Sequence, residues 1–378
     1  MGDRGGGEGA RHLTLVAAPD LTGDDVVAAL DGVRPLAVLP AGPPAVVAAA
    51  RAAFRAEEPL EPGADLVVGT SGSTGNGRAV LLSAAALRAS AAATHERLGG
   101  PGSWLLALPV SAIAGLQVLC RSSLAGIPAT IPAPGEALAG AVTRMPEGRR
   151  YTALVPTQLR RFLDTEPAAL ASFDAVLVGG AATDAALLAS ARAHDVSVVT
   201  TYGMTETAGG CVYDGRPLDG VAVRVTEGIE VSGPTLALGY RLDPEATGAA
   251  FADGWFRTRD AGSLDDDGRL TVHGRLDDVV ISGGVNVAPT AVEAALREHP
   301  DVIDAVVVGR PDGEWGQQVV AAVVPSPGRT PLLDVLRPWV ADRLGAAAAP
   351  RALLLLEALP LLHTGKPDRR AVAERMRG

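Results

Sequence analysis

Gly69-Thr70-Ser71-Gly72-Ser73-Thr74-Gly75-Asn76-Gly77-Arg78 follows a short apolar run, Leu66-Val67-Val68. The run reads as a strand that ends at a polar turn. Glycine lets a backbone turn tightly and approach a ligand closely. Consecutive backbone N–H groups in such a loop form an anion-binding concavity. The hydroxyls of Thr70, Ser71, Ser73 and Thr74 add donors. The expected anion is a nucleotide triphosphate. Two other readings compete. One is a polar surface loop, which Gly/Ser composition alone favours. The other is a P-loop, since Gly72 and Gly77 have the GxxxxG spacing. A P-loop then needs Lys for the terminal phosphates and Ser or Thr for magnesium. Arg78 and Ala79 stand there instead, so that reading is rejected.

Outward from the loop, strands alternate with helices. Residues 83–98 read as a helix with Ser83 as N-cap. Residues 152–156 are strand-like, and Thr157 is expected to cap a helix running to about Leu163. Residues 175–180 form a short apolar run ending at Gly179-Gly180, Asp184 starts a helix, and 196–200 is β-branched. This alternation implies an α/β fold with a largely parallel sheet. Residues 212–271 change to short strands with Gly/Asp turns. Beyond 274–278 come a helix (289–298), strands (305–308 and 319–324) and a helix (332–344). That is a compact α+β unit of about 100 residues, sized as a separate domain. The expected organisation is a tail over 1–11, an N-terminal domain over 12–274, a linker at 275–278 and a C-terminal domain over 279–378.

Composition narrows the function classes. A chain of 378 residues, 47% hydrophobic and 20% charged, supports a large core and two domains. Its net charge of −10 argues against a general nucleic-acid binder or an anionic membrane surface. Cys120 and Cys211 make neither a disulfide framework nor a metal-ligand spacing. A metal would be magnesium held by oxygens. Residues 1–11 are a Gly-rich polar tail, expected to be disordered, with no signal-peptide pattern. Residues 98–120 lack charge but are broken by Pro101, Pro109, Ser111, Gly115 and Gln117, which suits buried core and not a membrane span. A cytoplasmic location follows. Among the 33 basic residues only Lys366 is lysine.

Four further stretches carry chemistry. Thr201-Tyr202-Gly203-Met204-Thr205-Glu206-Thr207 places polar groups at the carboxyl edge of a sheet, where α/β proteins bind ligands. Tyr202 could stack on a base, Thr205 bond a phosphate and Glu206 hold magnesium. A strand-to-turn transition with capping residues would look the same. In Gly254-Trp255-Phe256-Arg257-Thr258-Arg259-Asp260, Asp260 is either a turn residue or the acceptor for a ribose diol. Residues 274–287 sit at the composition shift and read as a linker. Near the end, Gly365 and Pro367 hold Lys366 in an extended loop, where a lysine is ordinarily a solvated charge.

Taken in order, these stretches resemble the motifs of the adenylate-forming acyl-CoA ligase superfamily over roughly residues 65–370. The Gly-rich loop is similar to its phosphate loop, except that Gly77-Arg78-Ala79 replaces the usual Pro-Lys-Gly. Residues 202–206 closely resemble its Tyr-Gly-Met-Thr-Glu run. Residues 254–260 resemble its Gly-Trp-Phe/Tyr-x-Thr-Gly-Asp run, with Arg259 in place of Gly. The resemblance implies a large N-terminal α/β domain with mixed sheets and a small mobile C-terminal α+β lid. It assigns ATP to Thr70, Ser71, Gly72, Ser73, Thr74, Gly75, Arg78, Gly179, Gly180, Ala181, Thr201, Tyr202, Gly203 and Met204. Tyr202 would meet adenine and Asp260 and Arg275 the ribose. Thr205 would meet the α-phosphate and Glu206 a Mg2+ ion. Asp277 would be the hinge pivot, Ser282, Gly283 and Gly284 would approach the CoA thiol, and Lys366 would be catalytic with Thr205 and Glu206.

Within the superfamily, residues 113–117, 154–159 and 210–215 resemble the o-succinylbenzoate–CoA ligase family of menaquinone synthesis, in its compact actinobacterial form. That family carries His two or three positions before Ala114, where Ser111 and Ala112 stand. The resemblance implies ATP-dependent activation of o-succinylbenzoate and transfer to CoA. Alternatives are another aryl or acyl acid, a carrier-protein thiol, or a nucleotide-binding homologue without turnover. The second carboxylate of the diacid needs a cationic or hydroxyl-rich partner. Thr157, Ser111 and Arg161 are the expected acyl-site residues, with Arg161 rather than Arg160 turned inward. Expected partners are a small carboxylic acid, ATP and CoA, without nucleic acid or a membrane span, and with a homodimer as a candidate assembly.

Overall fold

The computed structural model describes residues 10–70, 77–362 and 366–377. The chain forms two compact units. One comprises Met1–Ala153, Gly203–Cys211 and Pro234–Phe251; the other comprises Leu154–Tyr202, Val212–Gly233 and Ala252–Gly378.

The first unit is built on a five-stranded sheet in the order Thr14–Ala17, Leu36–Leu39, Leu66–Gly69, Ala79–Leu82 and Gly239–Tyr240. The first three strands are parallel, and the last two run antiparallel to their neighbours. Side chains alternate between faces along each strand. Leu66, Val68, Val80 and Leu82 face a core shared with Val26, Leu87, Leu116 and Cys120 from the helices Gly23–Leu30, Ala84–Arg97 and Ile113–Ala125. Val67 and Leu81 face the other way, onto Phe54 at the end of helix Pro44–Phe54. Covered on both faces, the sheet takes continuous apolar runs such as Leu36-Ala37-Val38-Leu39, all buried. The helix expected over 83–98 spans Ala84–Arg97, and the Ser83 hydroxyl caps it by accepting from the Ala86 N–H at 3.1 Å. Between the Gly-rich loop and that helix lies a strand, Ala79–Leu82, that the sequence reading did not separate from the loop. It makes the loop a hairpin connection, with Gly69 opposite Ala79.

In the second unit, Ala175–Gly179 pairs in parallel with Val198–Met204, bringing Gly179 opposite Thr201. The strand read over 196–200 therefore continues through Met204, and the turn begins only at the short 3-10 segment Thr205–Thr207. The helix after residue 154 is Pro156–Thr165. Proline at a first helical position costs no hydrogen bond, and the Gln158 side chain accepts from the Val155 N–H at 3.0 Å. Thr157 thus lies inside the first turn and does not cap the helix. Asp184 does cap Ala185–Ala193, accepting from the Leu187 N–H at 2.7 Å.

The later part of this unit is mostly antiparallel. Ala222–Val225, Ile229–Ser232 and Trp255–Arg257 form consecutive pairs, and Asp260–Leu264 pairs with Leu270–Arg275. The C-terminal part is a sheet of Val285–Val287, Val280–Ser282, Gly316–Pro325, Val302–Asp312 and Ala352–Leu355. Alternate valines of its two long strands face opposite sides. Val307, Val319 and Val323 pack with Val292, Leu296 and Leu336 of the helices Pro289–Arg297 and Leu333–Leu344. Val306, Val308 and Val320 pack with Val372 of helix Arg369–Arg375. Among the described residues, no helix is long and apolar enough to cross a membrane.

Candidate active site

Ser71, Gly72, Ser73, Thr74 and Gly75 lie outside the described residues, as do Thr364 and Gly365. The two ends of the Gly-rich loop are fastened together. The Thr70 N–H donates to the Arg78 carbonyl at 2.8 Å, and the Arg78 N–H donates to the Thr70 hydroxyl at 3.0 Å. A Cβ at Gly77 would sit 2.2 Å from the Thr70 carbonyl oxygen, so any side chain there would force the ends apart.

Arg78 lays its guanidinium 4.7 Å from the centre of the Tyr240 ring. The Tyr240 hydroxyl donates to Glu206 Oε1 at 3.1 Å. Burial first, and the Glu206 carboxylate second, push the phenol up to about 12, so it stays a donor at neutral pH. Thr205 is buried and Glu206 half-buried on the 3-10 turn. The Thr207 hydroxyl holds that turn by accepting from the Met204 N–H at 2.9 Å and donating to the Gly209 carbonyl at 2.8 Å. Ala208 then adopts a left-handed φ of 51°. Its carbonyl accepts from the fully buried Gln117 at 2.7 Å. Gly203 has no room for a side chain, since a Cβ would lie 2.1 Å from the Gly209 carbonyl oxygen. Among the described residues no three His, Cys, Asp or Glu side chains group as a metal cage. A single carboxylate such as Glu206 still suits Mg2+, which keeps several waters and takes one or two carboxylates plus substrate phosphates.

In the second unit, the Gly179-Gly180 turn meets both Thr201 and Lys366. A Cβ at Gly179 would lie 2.2 Å from Thr201 Oγ1. Gly180 has φ 81°, and a Cβ there would come 3.4 Å from Lys366 Cε and 3.6 Å from Val155 Cγ1. The single lysine therefore reaches the end of the strand, beside exposed Ala181. Its own backbone is held by the Leu362 N–H donating to the Lys366 carbonyl at 2.8 Å and by a bridge from Leu361 to Pro367.

Next to Thr201, the Tyr202 hydroxyl donates to Asp260 Oδ2 at 2.8 Å. Asp260 is buried, and Arg275 Nε stands 3.5 Å from its other oxygen. Arg275 also reaches Asp277 at 3.5 Å, and Arg259 pairs with Asp277 at 3.1 Å. The arginine that replaces glycine before Asp260 thus has a definite partner at residue 277.

Residues 31–238 match the AMP-binding enzyme model, and residues 291–366 match the AMP-binding enzyme C-terminal domain. The chain belongs to the AMP-binding enzyme family. It is 48% identical to a probable 2-succinylbenzoate–CoA ligase of Mycobacterium tuberculosis over 342 residues, covering 86% of this chain and 88% of that protein. Its fold is similar to amide bond synthetase McbA from Marinactinospora thermotolerans, with TM-score 0.83 and 25% identity over 97% of this chain and 90% of that one. It is also similar to o-succinylbenzoate CoA synthetase MenE from Bacillus subtilis in complex with the acyl-adenylate OSB-AMP. There the TM-score is 0.76 at 25% identity, over 95% of this chain and 82% of that one.

In this AMP-binding enzyme some expected residues sit otherwise than the sequence suggested. Arg161 is exposed and lies over the neighbouring Phe162 ring at 4.8 Å, so the expected inward turn does not occur. Arg160 is half-buried and pairs with Asp184 at 2.9 Å. Ser282 is buried, whereas Gly283 and Gly284 are exposed. A Cβ at Gly283 would lie 2.7 Å from the Trp315 ring, and Arg351 stacks on that ring at 3.8 Å. Ser111 and Thr157 are half-buried. The sequence does not point to Tyr240, and it marks Gln117 only as a break in an uncharged run and as part of a resemblance. The signal for Tyr240 was the Gly239-Tyr240-Arg241 run, which has no local periodicity to mark it.

Proposed function

We propose that this AMP-binding enzyme joins o-succinylbenzoate to CoA in two steps. A carboxylate oxygen of the acid attacks the α-phosphorus of ATP, the bond to the bridging oxygen breaks, and pyrophosphate leaves. The CoA sulfur then attacks the acyl carbon, its proton passes to solvent, and the bond to the phosphate oxygen breaks to release AMP. The observation that carries this reading is the 48% identity with a probable 2-succinylbenzoate–CoA ligase over most of both chains. The site geometry agrees with it. Lys366 ends at the Gly179-Gly180 turn, in the same unit as the Tyr202–Asp260 pair.

In this reading Tyr202 lies against adenine, and its bond to Asp260 fixes both groups. Asp260 and Arg275 take the ribose, Thr205 bonds the α-phosphate, and Thr70 to Gly75 with Arg78 hold the remaining phosphates. Lys366 places a compact positive charge where negative charge gathers at phosphorus. Such a fixed charge stabilises the transition state without reorganising. Glu206 would hold Mg2+, which neutralises phosphate charge when bound. Residues 275–278 act as a hinge between a domain over 12–274 and a lid over 279–378. Asp277 is the pivot, and the Gly283-Gly284 turn lies by the thiol. ATP and CoA as substrates suit a cytoplasmic enzyme.

ATP–pyrophosphate exchange with o-succinylbenzoate, set against a panel of mono- and diacids, tests the acid. AMP release on adding CoA tests the acceptor. Exchange with another acid alone would sink the assignment. The high TM-score to an amide bond synthetase makes an amine acceptor the second reading. AMP release that needs an amine and ignores CoA would favour it.

A further inference from the structure

We infer that Tyr240 is a positioning residue for the Glu206 carboxylate, and that Tyr240 couples the base of the phosphate loop to the metal site. The inference rests on the proposed function, in which Glu206 holds Mg2+.

One short segment grips Glu206 at two points. The Ala237 N–H donates to the Glu206 carbonyl at 2.8 Å, and the Tyr240 hydroxyl donates to its carboxylate at 3.1 Å. The grip is itself rigid. Tyr240 pairs antiparallel with Val80, and its N–H donates to the Thr247 hydroxyl at 2.9 Å. Its ring meets Phe251 edge-on, with centroids 5.8 Å apart. The next residue, Arg241, is fully buried and bonded to the carbonyls of Phe54, Arg55, Glu58 and Pro59. The phenol therefore has little freedom to follow the carboxylate; the carboxylate must come to it.

The link to the phosphate loop follows from strand geometry. Val80 lies opposite Tyr240, and residues two apart on an extended segment share a face. Arg78 accordingly sits diagonally from Tyr240 and stacks on its ring at 4.7 Å. The planar guanidinium can lie flat on an aromatic face in a way an ammonium cannot. Arginine where relatives of the superfamily carry lysine is thereby tied through one ring to Glu206.

A buried phenol usually finds some acceptor, so the bland account is a core tyrosine satisfied by the nearest carboxylate. The two accounts differ in consequence. Mg2+ demands near-ideal octahedral geometry. Partners that orient a ligand from behind typically govern metal affinity by about 10- to 100-fold. A phenol bound to one carboxylate oxygen limits how the carboxylate can turn, and so sets how it can present itself to a metal.

The test uses the full chain and Tyr240→Phe, which keeps the ring and removes the hydroxyl. Mn2+ binding is read by electron paramagnetic resonance in the presence of α,β-methylene-ATP, and metal-free AMP binding is read by calorimetry. The expected result is a fall of about 10-fold in Mn2+ affinity with AMP affinity unchanged. Arg78→Lys, which keeps the charge and loses the stack, should shift Mn2+ affinity in the same direction by less. Mn2+ affinity equal to wild type in both variants overturns the inference, as does a parallel loss of AMP binding. If the wild type binds Mn2+ and nucleotide but exchanges pyrophosphate with no acid, the proposed function fails while the Tyr240 comparison still decides the inference.

Discussion

Substitution of Lys366 separates a catalytic lysine from a solvated one. Its Cε would stand 3.4 Å from a Cβ at Gly180, which leaves a slender chain the way past the double-glycine turn. By comparison with the loss of one pre-positioned donor, Lys366→Ala should slow adenylation by roughly 10²- to 10³-fold. That corresponds to about 3–4 kcal/mol of transition-state stabilisation. Lys366→Arg should recover little, because a broad planar fork replaces a point charge in the same narrow approach. Gly180→Ala tests the approach itself. A side chain at φ 81° costs roughly 1–2 kcal/mol, and the turn can relieve that strain only by shifting a methyl that already stands in ordinary contact with Lys366 Cε, 3.4 Å away. A misplacement of 1 Å can cost about 10²-fold, so a backbone shift that relieves the strain should slow adenylation by up to about tenfold. Pyrophosphate release reads the first step, and CoA transfer from supplied acyl-adenylate reads the second, which should change little in all three variants. Near-normal exchange in Lys366→Arg would falsify the catalytic assignment. Normal adenylation in Gly180→Ala would show that the contact seen here is not the productive one.

Three other outcomes are expected. Burial, and then Arg121, lower His95 from 6.5 to about 4, and its Nε2 accepts from the Trp104 indole at 3.2 Å. The unfolded chain therefore binds more protons between pH 6.5 and 4; stability is complete above 6.5 and falls by about 3 kcal/mol toward pH 4. Denaturant melts of His95→Gln should lack that slope, and an unchanged slope would refute it. Arg241→Met strands the Glu61 carboxylate and four carbonyls, so it should destabilise the first unit by about 3–5 kcal/mol; an unshifted urea midpoint would count against this. Asp277→Pro fixes φ near −65° and should impair thioester formation while sparing adenylation. Arg259→Gly removes only an exposed pair worth about 0.2–1 kcal/mol and should change that step by no more than about fivefold. If both half-reactions fall together in Asp277→Pro, the hinge reading is wrong.

Local signals were legible in the sequence, and long-range register was not. Ser83 and Asp184 announced their helices because a cap acts within three residues of itself. The strand Ala79–Leu82 was hidden because four apolar residues next to a helix cap have no distinguishing period. The choice between Arg160 and Arg161 failed on helical phase. Leu159 and Leu163 are buried, and at about 100° per residue Arg161 falls roughly 200° from each. Arg160 lies nearer the buried face and so meets Asp184. Tyr240 was illegible for another reason. Its partners Arg78 and Glu206 are brought to it by the antiparallel pairing with Val80 and by the turn after Met204, and neither contact leaves a pattern near residue 240.

The two carboxylates that the proposed function gives to ligands share one device. Asp260 accepts from the Tyr202 hydroxyl and Glu206 from the Tyr240 hydroxyl. In a chain so rich in arginine, a phenol is an orienting donor in both places. A phenol gives one hydrogen bond and no charge, so it orients a carboxylate without neutralising it. A guanidinium in the same place would engage both oxygens and supply the very charge that a metal should bring. Where arginine does approach Asp260 it stands at 3.5 Å, beyond a short bidentate contact, and divides itself with Asp277. Orientation is thus fixed in advance while affinity is left for the incoming group. Transition-state stabilisation by preorganised groups requires that division.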